Sequence, residues 1–148
     1  MRAGARVAVA SGALLLAACV HPAAVERAYG GNVVQGRYVS PEGYAWFLRG
    51  ALAAAAHRTE EAVTAYQRAA SLDPASPEPW ARIAVVLCDA GEREGRARAA
   101  IERALSLDPE APGSWAARAR CAGVHGDARE QHDAAAHASA LGDSTPLV

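Results

Sequence analysis

The chain has 148 residues and a formal net charge of −1 at pH 7. This length suits one domain with an attached segment and is too short for two domains of ordinary size. All 15 basic residues are arginine, and the near-neutral balance lacks the excess of positive charge that binding to phosphate backbones requires. We therefore expect no direct binding to DNA or RNA.

The N-terminal segment has the layout of an export signal, in which basic residues precede a short apolar run. Two arginines come before 12 largely apolar residues, 7–18, a run shorter than the roughly 20 residues that cross a membrane. The run ends in Leu-Ala-Ala-Cys at residues 16–19, which resembles the lipobox of bacterial lipoproteins. The resemblance implies that residues 1–18 are a signal peptide and that Cys19 is lipidated. An ordinary signal peptide with an incidental cysteine is the alternative.

The lipoprotein resemblance also implies a location. Attachment through more than one acyl chain anchors a protein stably at a membrane. Lipoproteins with aspartate after the modified cysteine stay at the inner membrane, whereas Val20 follows Cys19 here. We therefore expect the protein at the periplasmic face of an outer membrane. Apart from the lipid on Cys19, the sequence indicates no cofactor and no small-molecule substrate.

The remaining residues divide into a tether and a helical region. Residues 19–39 are predicted to be a tether with a short extended patch at Val33 and Val34, because scattered glycine and proline interrupt helices. From residue 40 onward, apolar residues recur at helical spacing and no strand pattern competes. Serine, threonine and aspartate at Ser40, Thr59 and Asp127 are expected to cap helices. The helices are expected over about 40–56, 59–72, 76–91, 97–105, 112–125 and 127–142.

The helical region contains an internal repeat. Trp46, Trp80 and Trp115 lie 34 and 35 residues apart, and the sequence Ser-Leu-Asp-Pro occurs twice between them. This period, with tryptophan early and proline after the second helix, resembles the tetratricopeptide repeat. Small residues such as Gly50 are expected to let paired helices approach closely. The predicted fold is all-α, a helical-hairpin solenoid of three repeats at 40–74, 75–109 and 110–141, with residues 142–148 as a disordered tail.

Tetratricopeptide arrays bind other proteins, typically in the concave groove that the first helix of each repeat lines. The resemblance therefore implies a protein partner and a membrane-anchored interaction module or assembly factor at the cell envelope. A packing subunit of an envelope complex, bound through the convex or end face as well as the groove, is the alternative. The groove candidates are Tyr44, Phe47, Arg82, Val85, Asp89 and Arg120. Tyr44 and Phe47 could instead cover the tether.

Two further sets of side chains have groups that could carry chemistry. Cys88 and Cys121 lie on successive first helices, but their positions in the repeat differ, so the sequence leaves open whether they form a disulfide. His125, His132 and His137 all lie in the third repeat. A metal-dependent enzyme that uses this region is the least favoured interpretation of the sequence. Metal-binding histidines on one helix usually lie four residues apart, whereas His132 and His137 are five apart. We therefore expect no enzymatic activity.

Overall fold

The computed structural model describes residues 24–29, 32–37, 39–92 and 95–142. The chain divides into two compact units, residues 1–38 and 39–148, and each is treated by itself. The predicted signal peptide, Cys19 and the tail after residue 142 lie outside the described residues. Within the described ranges, no helix is long and apolar enough to cross a membrane.

The first unit contains an antiparallel pair of strands, β1 (Ala24–Tyr29) and β2 (Asn32–Arg37). Ala24 pairs with Arg37 and Tyr29 pairs with Asn32, so that two residues separate the strands along the chain. Only an extended patch was predicted here, because the glycines indicated interrupted helices. Two adjacent glycines between short β-branched or aromatic runs are also a hairpin signal, and that signal was overlooked.

The second unit consists, in the part that the structure describes, of six α-helices without a strand. Consecutive helices form three antiparallel hairpins, α1 with α2, α3 with α4 and α5 with α6, as the all-α repeat prediction requires. The helices are α1 (Pro41–Ala55), α2 (Thr59–Leu72), α3 (Glu78–Asp89), α4 (Arg96–Leu107), α5 (Pro112–His125) and α6 (Ala128–Ala140).

Several helix ends follow from local side-chain chemistry. The Ser40 hydroxyl accepts a hydrogen bond from the Gly43 backbone N–H at 3.0 Å, and Asp127 caps α6 in the same way. Gly126 ends α5 at a φ of 81°, a left-handed conformation that glycine adopts without a Cβ penalty. The predicted cap at Thr59 is wrong, because Thr59 is the first residue of α2 and the capping position falls on Arg58, which makes no side-chain cap bond.

The core combines small residues at helix crossings with a few large side chains. Ala53, Ala62 and Ala84 are fully buried where helices approach each other. Tyr66 and Leu87, 2% and 1% exposed, fill the space between the hairpins. Since protein interiors are close-packed, neither set tolerates a change of volume without strain or a void. This arrangement fixes how one hairpin stacks on the next.

The two junctions between hairpins differ. The first hairpin packs on the second chiefly through α2 against α3, whereas the second packs on the third chiefly through α3 against α5. The first helices of the second and third hairpins therefore lie directly side by side. This pair carries most of the predicted groove residues.

Candidate functional site

A disulfide joins the first helices of the second and third hairpins. Cys88 of α3 is bonded to Cys121 of α5, with their Cα atoms 5.3 Å apart. Both residues are buried. The sequence left open whether these cysteines form a disulfide, and the structure contains one. It cross-links two helices whose facing side chains include predicted groove residues.

The differing repeat positions of the two cysteines do not prevent the bond, because α5 is displaced along α3. Cys88 and Cys121 are 33 residues apart, and the ion pair next to them, between Asp89 and Arg120, joins residues 31 apart. Both separations are shorter than the 35-residue spacing of the tryptophans Trp80 and Trp115. A displacement of two to four residues is about 3 to 6 Å along a helix. Position-by-position alignment of the repeats could not reveal this displacement.

Asp89 and Arg120, both groove candidates, are each other's partners. The Arg120 guanidinium donates a hydrogen bond from Nε to Oδ1 of Asp89 at 2.9 Å, and each side chain remains about two-fifths exposed. Their charges therefore compensate each other across the junction between α3 and α5. A partner that approached here would meet a preformed ion pair instead of two free charges.

Arg82 and Val85 lie on α3 within the same stretch. Arg82 Nε donates to Oε1 of Glu78 at 2.9 Å, one helical turn earlier, and half of the Arg82 side chain is exposed. Val85 is half-buried and packs against the cluster of Ala81, Ala104 and Ala117. Arg82 is therefore available to a partner, whereas much of Val85 belongs to the core.

The α1 candidates differ from each other in burial. Tyr44 is 56% exposed. Phe47 is partly buried and packs edge-on against the Tyr66 ring, with ring centroids 5.3 Å apart. Burial raises the pKa of Tyr66, while the nearby Arg82 charge lowers it and Glu78 raises it. Tyr66 thus contacts Phe47 and lies close enough to the charged pair on α3 to feel both of its charges.

The histidines of the third hairpin do not converge. The His125 ring nitrogen Nε2 lies 3.2 Å from the Glu92 carbonyl oxygen. The His137 ring lies against the Trp115 ring at a centroid distance of 4.1 Å, with the two planes tilted by 45°, and His132 is exposed on α6. Among the residues that the structure describes, no three His, Cys, Asp or Glu side chains are arranged to hold a metal ion.

A cavity of about 330 Å³ lies between α4 and the third hairpin. The disulfide, Ile101 and Leu105 form its apolar part. Its rim includes Arg98, paired with Glu102 at 3.2 Å, and Arg118, paired with Glu130 at 2.7 Å. Because these rim charges are already paired, the cavity offers no converging set of free polar groups to orient a small molecule.

Comparison with known families agrees with this architecture. A family model described as tetratricopeptide repeat matches residues 53–121, which run from the last turn of α1 into α5. No curated protein matches the chain at a significant level. Tetratricopeptide folds are typically scaffolds for protein interactions and not catalysts. The match over residues 53–121 supports a tetratricopeptide repeat protein, and the all-α helical-hairpin fold is consistent with a repeat of this type.

Proposed function

We propose that the protein is a lipid-anchored interaction module or assembly factor at the bacterial cell envelope, and that it holds a protein partner on the first helices of its repeats. The tetratricopeptide match supports a protein-binding role. The resemblance of residues 16–19 to a lipobox supports the anchor at Cys19. The Cys88–Cys121 disulfide supports export, since disulfides persist in oxidising compartments such as the periplasm.

One observation carries the groove assignment most strongly. The disulfide and the Asp89–Arg120 ion pair fix α3 against α5, and the partly exposed Arg82 lies on α3 as well. A surface that is rigid before binding loses little conformational freedom when a partner docks, which favours affinity. Arginine and tyrosine are also common anchor residues at protein interfaces.

A pull-down from detergent-solubilised bacterial membranes tests this assignment. Tyr44→Ala and Arg82→Ala remove exposed side chains, whereas Phe47→Ala would also disturb the packing on Tyr66 and is a poorer probe. We expect both variants to lose most of the captured partner. Arg98→Ala is the matched control, because Arg98 pairs with Glu102 one helical turn later just as Arg82 pairs with Glu78. Arg98 lies on α4, a second helix of a repeat.

The control also separates the two modes of binding. If Arg98→Ala loses the partner while Tyr44→Ala and Arg82→Ala retain it, the result would favour a subunit packed through its second helices. That result would overturn the groove proposal. Loss with Arg82→Ala alone would move the site onto α3 and α5.

The anchor needs its own experiment. Cys19→Ala removes the sulfur that would carry the lipid, so the protein is expected to move from the membrane fraction to the soluble periplasmic fraction. Metabolic labelling with a fatty acid should mark the parent chain and not the variant. A Cys19→Ala chain that stays in the membrane fraction would contradict lipid anchoring at this residue.

A further inference from the structure

The third hairpin, α5 with α6, contributes little large apolar surface to the core. In the part of the chain that the structure describes, its buried residues are alanine and serine apart from one cysteine, Cys121. Within the same part, Cys121 is also its one member of the main buried cluster, whose other members belong to α1, α2, α3 and α4. Burial of alanine removes much less apolar surface from water than burial of leucine or tyrosine does. Apolar packing alone therefore attaches this hairpin weakly.

The junction between the second and third hairpins lacks two large side chains that the first junction has. Tyr66 of α2 and Leu87 of α3 fill the first junction. The equivalent positions 35 residues later hold Ile101 and Ala122, which are smaller. Both of these residues line the cavity of about 330 Å³ between α4 and the third hairpin. Because this volume is not filled, α4 supports the third hairpin less than α3 does.

The polar contacts between the second and third hairpins lie at the surface. Arg120 pairs with Asp89 at 2.9 Å, and both side chains are about two-fifths exposed. The His125 ring nitrogen lies 3.2 Å from the Glu92 carbonyl oxygen, also at an exposed position. Exposed ion pairs contribute little to stability. The disulfide is therefore the strongest attachment of α5 to α3 in the described residues.

The third hairpin also has contacts of its own that do not involve the rest of the array. Arg118 of α5 pairs with Glu130 of α6 at 2.7 Å. The Trp115 ring of α5 lies against the His137 ring of α6. These contacts join the two helices to each other, so they do not oppose a movement of both helices away from α3.

We propose that the Cys88–Cys121 disulfide is a redox switch that controls the attachment of the third hairpin. In the oxidised protein the bond holds α5 on α3. In the reduced protein α5 and α6 separate from α3 together, because the remaining contacts at this junction are weak. The consequence for partner binding rests on the proposed function: Arg120 would leave Asp89, and the groove would lose its α5 side.

The cavity gives a small thiol access to the bond. Both cysteines line it, and Cys121 is 5% exposed whereas Cys88 is fully buried. A thiolate of a dithiol attacks Sγ of Cys121, the S–S bond breaks, and Sγ of Cys88 leaves as a thiolate and takes up a proton. The second thiolate of the dithiol attacks the mixed disulfide, Cys121 leaves and is protonated, and the dithiol becomes a cyclic disulfide. The two electrons that reduce the protein therefore come from the dithiol.

Hydrogen–deuterium exchange of the full-length chain, purified in detergent, tests the proposal. The oxidised parent is compared with the parent treated with dithiothreitol in the absence of denaturant, and mass spectrometry after alkylation establishes that both thiols have formed. We expect α5 and α6 peptides to exchange at least about tenfold faster after reduction, with a change in α1 and α2 that is several-fold smaller. Unchanged protection of α5 and α6, equal acceleration in all three hairpins, or a bond that is reduced only in denaturant would overturn the proposal.

Two variants separate the bond from the other contacts at this junction. Cys88→Ala combined with Cys121→Ala should exchange like the reduced parent and should not respond to dithiothreitol. Asp89→Ala removes the neighbouring ion pair and keeps the bond, so α5 and α6 should stay protected until dithiothreitol is added. If Asp89→Ala alone released the third hairpin as fully as reduction does, the ion pair would be the attachment and the proposal would be wrong. The comparison of oxidised with reduced parent does not depend on the folding of either variant.

Hydrogen exchange reports on the helices and not on the partner. A pull-down that failed would therefore leave the redox switch standing. Unchanged exchange on reduction would overturn the switch and leave the groove assignment standing.

Discussion

Gly50 of α1 lies directly against the ring of Tyr66 on α2. A Cβ atom at Gly50 would be 2.7 Å from Cδ1 and Cε1 of that ring, closer than real Cβ contacts come. Tyr66 is 2% exposed, and Phe47 packs against its ring edge-on. The ring therefore has little room to move, and glycine at this position is required by the close approach of the two helices.

Gly50→Ala is expected to destabilise the fold. Overpacking a core by one methyl group or more typically costs about 1 to 3 kcal/mol, which exceeds the gain of up to about 1 kcal/mol that alanine brings within a helix. Chemical denaturation measures the difference. Gly113→Ala is the control, since its Cβ would meet only the flexible carboxylate of Glu78, at 3.0 Å. A Gly50→Ala protein as stable as the parent would show that the Tyr66 ring can be displaced without cost.

Removing the disulfide is expected to lower stability more than any single change considered above. The bond closes a loop with a sequence separation of 33 residues, for which the loop-entropy model gives about 4 kcal/mol. Cys88→Ala combined with Cys121→Ala should therefore unfold at lower denaturant concentration than the oxidised parent. Reduction should shift the denaturation midpoint of the parent protein toward that of the variant, whereas the midpoint of the variant should not change with reductant. If mass spectrometry found free thiols at both Cys88 and Cys121 of the parent protein, the disulfide assignment would be contradicted.

Ser114→Ala is expected to stabilise the protein. The Ser114 hydroxyl is buried, with 1% of the residue exposed, and it has no hydrogen-bond partner among the residues that the structure describes. Removing a buried polar group that is unpaired relieves its desolvation penalty, about 1 kcal/mol or more. Ser106→Ala is the comparison, since its hydroxyl is exposed and donates to the Arg103 carbonyl at 2.7 Å. A melting temperature that falls with Ser114→Ala would point to a partner for this hydroxyl in solution.

Stability is expected to depend on pH through Glu60. Hydrogen bonds from Arg96 and then its charge hold the pKa of Glu60 below its usual 4.5. A lowered pKa in the folded state adds stability that is present above the usual pKa and is lost as the pH falls through the lowered one. The stability difference between the parent and Glu60→Gln should therefore shrink as the pH falls below about 4.5, the usual pKa of the group. In an Arg96→Ala background the difference should be smaller and should depend less on pH, and a difference as large as in the parent background would contradict the assignment.

The sequence was sufficient to predict the helices, because their signals are local. The Ser40 and Asp127 caps and the left-handed Gly126 each depend on residues within one turn. The pairing of β1 with β2 was missed because it depends on two segments together, and only the glycine pair between them indicated it.

The site was predicted less completely than the fold. The candidates on α3 and α5 do lie close together, but the displacement of the two helices, which brings Cys88 to Cys121 and Asp89 to Arg120, arises from packing between hairpins. No local pattern encodes that displacement. Leu48 and Leu52 are exposed on α1, and the helical spacing of apolar residues does not by itself distinguish them from the buried ones.

Site-specific photo-crosslinking in intact cells tests the groove assignment most directly. A photoreactive amino acid replaces Val124 on α5 in one chain and Arg98 on α4 in another, both exposed positions. Neither replacement removes Tyr44 or Arg82, and we predict a covalent adduct with one envelope protein from the Val124 position and none from the Arg98 position. An adduct from the Arg98 position alone, or the absence of an adduct from both positions, would contradict the proposal that the first helices hold the partner.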